Sequence, residues 1–120
     1  MAPTIGFGAY VRKHRETLRR EDPGFSVRRV AARIGVEPSY LSKVERGQVA
    51  PPSEATIVRL AEALREDPDL LLALAGKVSS RLQSIIRQRP RLFADLLQEL
   101  RDAPNHAVLR ITREVRDGEW

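Results

Sequence analysis

VAARIGVEPSYLSKVERG, residues 30–47, holds two short helical patterns divided by a glycine. Val30, Ala31 and Ile34, with Val27 just before them, fall at i, i+3, i+4 and i+7. That spacing gives one buried face of a short helix. Ser26 is a natural N-cap for it, and Gly35 ends it. Pro38 fits the first turn of a second helix, with Leu41 and Val44 pointing inward and Gly47 at its end. Glu37 stands at the head of that helix, where a carboxylate suits the positive end of the dipole. Two helices joined by so short a turn are held at a fixed angle, an arrangement that can present the second one to a groove.

The same punctuation continues on both sides. Phe7, Tyr10, Val11, His14 and Leu18 repeat at helical spacing and predict a helix over about 5–20, broken by Pro23-Gly24. Downstream, Ser53 caps a helix that buries Ile57, Leu60, Ala61 and Leu64, and Asp67-Pro68 opens another that ends at Gly76. Beyond Gly76 the pattern predicts three more helices. The first covers 79–89 and is stopped by Pro90. The second covers 91–103, with Leu92, Phe93, Leu96, Leu97 and Leu100 as an apolar stripe. The third covers 106–120. No stretch alternates like a strand for long, so the chain reads as all-α.

Charge is unevenly placed. The net charge of 120 residues is +5. Residues 1–52 carry ten Lys/Arg against five Asp/Glu, while residues 53–120 carry eleven of each. The whole excess therefore lies in the first 52 residues, which points to a polyanion or an anionic surface as partner. There is no cysteine, which excludes a disulfide framework and a cysteine-ligated zinc site and fits a reducing, cytoplasmic setting. No secretory leader is expected from MAPTIGFGAY. The longest apolar run, residues 69–76, falls well short of the roughly 20 residues of a membrane span.

With these elements in place, the chain resembles the phage-repressor family (Cro/CI, XRE) of helix-turn-helix proteins over about residues 5–76. The resemblance is carried by Ser26, Val30, Ala31, Ile34, Gly35, Val36, Ser39, Tyr40, Leu41, Ser42, Val44, Glu45, Arg46 and Gly47, then Pro52, Ser53, Leu60, Ala61, Ala63 and Leu64. It implies a five-helix lambda-repressor-like DNA-binding domain over residues 1–76, followed by a helical C-terminal extension over 77–120. It also implies double-stranded DNA as partner, with the helix over 38–46 in the major groove. Carried over by position, the DNA-facing residues are Glu37, Pro38, Ser39, Tyr40, Ser42, Lys43 and Arg46. Ser39, Ser42 and Lys43 are the expected base readers, and Tyr40 and Arg46 suit phosphates. Many relatives carry Gln where Val27 stands here. The expectation is that Arg28 or Arg29, in the first turn of the same helix, takes over its phosphate contact.

Glu45 looks misplaced on a DNA-facing helix. The resemblance implies that it turns inward and pairs with an arginine of the first helix, here Arg15. The leucine-rich helices over 77–120 need a surface to cover them, and a homodimer on a palindromic operator is the expected arrangement, with Trp120 either in that interface or frayed. The open alternatives are an enlarged monomer core, or an antitoxin or repressor whose extension binds a toxin or protease. Catalysis is not expected. His14 and His106 are the two histidines, and neither has a nucleophile or carboxylate at a recognisable spacing. No cofactor or metal is expected, and a basic membrane binder is disfavoured because the bases are spread over several helices.

Overall fold

Side-chain caps punctuate the chain where serine and aspartate precede apolar patterns. The computed structural model describes residues 6–118, all helix and turn with no strand among them. Helices α1 (Phe7–Arg19), α2 (Val27–Ile34), α3 (Pro38–Glu45), α4 (Glu54–Leu64) and α5 (Pro68–Leu74) are followed by α6 (Ser80–Gln88), α7 (Pro90–Leu100) and α8 (Asn105–Asp117). Met1 to Ile5 lie outside the described residues, as does the first residue of the helix expected from position 5. So does Trp120.

The chain divides into two compact units, residues 1–79 and 80–120. In the first, Ser26 Oγ accepts the Arg29 N–H at 3.3 Å and Asp67 accepts the Asp69 N–H at 2.9 Å. Each satisfies one of the backbone donors that a helix start leaves free. Gly35 ends α2 with φ of 75°, a left-handed turn that favours glycine over any residue with a side chain. The Pro23-Gly24 break is a single turn of 3-10 helix, Pro23–Phe25, which buries the Phe25 ring.

The core of this unit joins α1 to α5 through Val11, Phe25, Val30, Ala31, Ile34, Leu41, Val44, Ile57, Leu60, Leu64, Leu71 and Leu72, all nearly free of solvent. Val27 and Tyr40 pack against its edge. The apolar face of α2 read from the sequence is thus the face that meets α4, while α3 is gripped between α1 and α2.

Several boundaries differ from the sequence reading, among them the end of α7, which comes at Leu100 and not at 103. Pro90 does not only stop α6; it is the first residue of α7, where its missing N–H costs nothing. Helix α8 starts at Asn105, one residue before the expected 106. Helix α5 stops at Leu74, two residues before Gly76.

The second unit is of a different kind. Not one residue of α6, α7 or α8 is buried. Each helix is nonetheless amphipathic, and Leu92, Leu97, Leu109 and Val115 are more than half exposed.

Candidate nucleic-acid interface

The recognition geometry is built from the inside. Arg15, on α1, and Glu45, at the end of α3, form a buried two-pronged ion pair. Arg15 Nε donates to Glu45 Oε2 at 2.7 Å, and Arg15 Nη2 donates to Oε1 at 2.8 Å. Both side chains are only 3% exposed. Arg15 Nη1 donates a third bond, at 3.2 Å, to the Phe25 carbonyl in the turn before α2. One guanidinium therefore ties α1, the lead into α2 and the end of α3 together. The hydrogen bonds it donates to Glu45 hold the guanidinium pKa above its ordinary value, against the opposing pull of desolvation.

Gly8 brings α1 still closer to α3. A Cβ on it would stand 2.1 Å from the Val44 carbonyl oxygen and 2.8 Å from that of Glu45. Arg59, on α4, donates from Nε to the Ile34 carbonyl at 3.2 Å, at the last residue of α2. A cation there also complements the negative end of the α2 dipole. Lys77 donates to the Pro52 carbonyl at 3.0 Å, fixing the segment between α3 and α4. Sequence reasoning missed Arg59 and Lys77. Each acts on a carbonyl 25 residues away, and no local pattern marks such a contact.

With its inward face held this way, α3 leaves an outward row. Pro38, Ser39, Lys43 and Arg46 are exposed, Ser42 is half-buried, and Glu37 is exposed at the N-cap. The Glu37 side chain makes no capping hydrogen bond, so its effect on the helix start is through charge alone. Arg46 Nε donates to the Ser42 carbonyl at 3.3 Å, an exposed contact that engages one of its guanidinium nitrogens. Tyr40 is half-buried against the core and presents only part of its ring. Arg28 and Arg29 are exposed in the first turn of α2, and neither side chain has a hydrogen bond or ion pair among the described residues. Val27, half-buried against the core, is turned away from this row.

A second polar contact, also missed from the sequence, locks α1 to the α4–α5 turn. Tyr10 Oη donates to Glu66 Oε2 at 2.7 Å, His14 Nε2 lies 2.9 Å from the Leu64 carbonyl, and the two rings stack. His14 is thus engaged in packing, with Nδ1 3.8 Å from the Glu66 carboxylate. The hydrogen bond from Tyr10, then that from the Asp67 N–H, then the charge of His14 lower the Glu66 pKa, while the same bond raises that of Tyr10. A lowered carboxylate pKa contributes stability above the ordinary carboxylate range and loses it as pH falls through the folded value. A raised phenol pKa contributes below the ordinary phenol value, about 10, and is lost as pH rises through the folded value. Tyr10→Phe is therefore expected to flatten both ends of a melting-temperature profile against pH. A profile unchanged at both ends would show that the bond does not persist in solution.

A helix-turn-helix with its second helix braced on three sides and a basic, solvent-facing row is now in place. The family model described as a helix-turn-helix domain matches residues 7–74, more than half of the chain. The chain belongs to the helix-turn-helix domain family. The match runs from the first residue of α1 to the last of α5. Among curated proteins, the chain is similar to two proteins from two strains of Mycobacterium tuberculosis, each named an uncharacterized HTH-type transcriptional regulator. It is 39% identical to each over 69 residues, which is 58% of this chain and 45% of the relative. The chain thus matches less than half the length of those relatives. No solved structure matches significantly. No described helix is long and apolar enough to cross a membrane.

Proposed function

We propose that this protein is a sequence-specific, DNA-binding transcriptional regulator of the phage-repressor (Cro/CI, XRE) type. In this reading it is a repressor that binds a palindromic operator as a homodimer. The observation that carries the reading is the outward row of α3, whose Ser39 and Lys43 side chains have no partner among the described residues, flanked by the exposed guanidinium groups of Arg28 and Arg29. Helix α3 lies in the major groove, where Ser39, Ser42 and Lys43 meet base edges. Arg28, Arg29, Arg46 and the exposed edge of Tyr40 meet phosphates. Pro38 offers no hydrogen bond where relatives often place a polar reader, so the operator is this protein's own. The relatives' names, as transcriptional regulators, support the same reading.

A two-fold dimer sets its recognition helices about 34 Å apart, one turn of DNA. If it neutralises about 6–10 phosphates, its affinity falls by roughly three to five orders of magnitude between about 50 and 200 mM salt. Selection from a random duplex library should return an inverted repeat with that spacing. On the selected site, alanine at both Arg28 and Arg29 should make the log–log salt slope less steep. The change is about one unit for each phosphate left without its arginine, hence up to about four in a dimer. An unchanged slope would remove these arginines from the interface, and a salt-insensitive complex would remove the mechanism.

The coreless second unit also suits a regulator whose extension is completed by another protein, such as a toxin or a protease. The oligomeric state of the chain alone separates the two readings.

A further inference from the structure

Helices α6, α7 and α8 are nine, eleven and thirteen residues long. Isolated helices of that length are marginal in water and depend on burying an apolar face. Here no residue in them is buried, and an open groove of about 440 Å³ runs between α7 and α8. Its walls are Leu96 and Leu100 on one side and Val108, Ile111, Thr112 and Val115 on the other, with Arg116 at the edge of the α8 wall. A groove so lined, beside exposed Leu92, Leu97 and Leu109, is half of a core.

The charges beside it say which surface completes it. At 100° per residue, Asp95 and Glu99 fall together on one flank of the α7 stripe, while Arg113 and Arg116 fall together on one flank of the α8 stripe. Asp95, Glu99 and Arg113 have no ion pair among the described residues, and Arg116 meets only its neighbour Asp117, at 3.7 Å. The other flank of α8 is already neutral, since Arg110 holds Glu114 at 3.2 Å. Stacking α7 on another α7 would oppose acid to acid, and α8 on α8 base to base. Of these three stackings, α7 against the α8 of another copy is the one that sets acid opposite base, and a two-fold axis makes that pairing twice.

We infer that residues 80–120 complete their core with the same segment of a second copy, as a four-helix core in which α7 of each chain lies against α8 of the other. This rests on the homodimer reading and adds the surface and the pairing. Leu96, Leu100, Val108, Ile111 and Val115 fill the shared core, and Asp95 and Glu99 face the partner's Arg113 and the partner's Arg116 at its rim.

The test is sedimentation of the full chain with charges exchanged. Asp95→Arg with Glu99→Arg, and separately Arg113→Glu with Arg116→Glu, should each weaken self-association by about tenfold or more, because every rim attraction becomes a repulsion and occurs twice. Mixing the two variants should restore a dimer containing one of each. All four substitutions in one chain should restore the homodimer, which misfolded variants could not do. A wild-type dimer indifferent to these exchanges, or a mixture that stays dissociated, overturns the pairing while leaving the dimer standing. A monomeric wild-type chain overturns both, and points to a different protein as the occupant.

Discussion

Replacing Glu45 by alanine is expected to lower the melting temperature by more than about 12 °C while leaving the preferred DNA sequence unchanged. Removing one partner of a buried ion pair typically costs about 3–5 kcal/mol, because the remaining charge is stranded away from water. For a unit of this size each kcal/mol shifts the midpoint by about 4–8 °C. Arg15 would keep its bond to the Phe25 carbonyl but lose both carboxylate oxygens, at 2.7 and 2.8 Å. Its guanidinium cannot escape by losing a proton, since that would need a pH far above any working value. Glu45→Gln keeps the shape and one acceptor, so it should fall between wild type and alanine. Thermal unfolding and site selection on the same two variants decide the matter. A changed operator preference at unchanged stability would mean that Glu45 faces DNA and not α1.

Gly8→Ala should be the second large loss, although alanine is the better helix former by about 1 kcal/mol. The new methyl would meet the Val44 carbonyl at 2.1 Å and the Glu45 carbonyl at 2.8 Å. These are backbone atoms, so no rotamer change relieves the clash, and α1 must move away from α3. Forcing atoms into a packed site costs about 1–3 kcal/mol and at times more. The same movement stretches the Arg15–Glu45 pair, which places the cost at the upper end. A net loss of about 2 kcal/mol or more is expected, with weaker DNA binding because α3 loses its brace. Gly6→Ala is the control. A Cβ there meets nothing within 4 Å, and the change should stay within about 1 kcal/mol. Equal stability for the two variants would refute the close approach.

Glu45 and Gly8 were of unequal legibility. Glu45 could be singled out in the sequence because an acid on a basic reading helix is a local contradiction, and the family resemblance supplied Arg15 as the partner. Nothing local marked Gly8. Its neighbours Phe7 and Ala9 read as ordinary helix, and the reason for a glycine appears only when the end of α3 arrives beside it. Ser39 and Lys43 came from the family resemblance, carried over by position, and Arg28 and Arg29 from their place in the first turn of α2. Tyr40 is different: the resemblance placed it toward DNA, but the ring packs on the edge of the core. Helical periodicity gives a direction, and it does not give the depth of the surrounding surface.

Taken alone, the sequence determined the all-α class, the turn at Gly35, the caps at Ser26, Ser53 and Asp67, the buried faces of α2, α3 and α4 and the basic bias of the first 52 residues. These follow from interactions within a few residues or from composition, so one chain of letters holds them. The tertiary structure decided what holds α3 in place, Gly8 against Val44, Arg59 on Ile34 and Lys77 on Pro52, and what locks α1 to the α4–α5 turn, Tyr10 on Glu66. It also showed that the helices after Ser79 leave no residue fully buried. Such interactions join residues about 25 or more apart, and their existence depends on the angle at which helices cross. Periodicity within a helix fixes which residues face inward and carries no information about that angle.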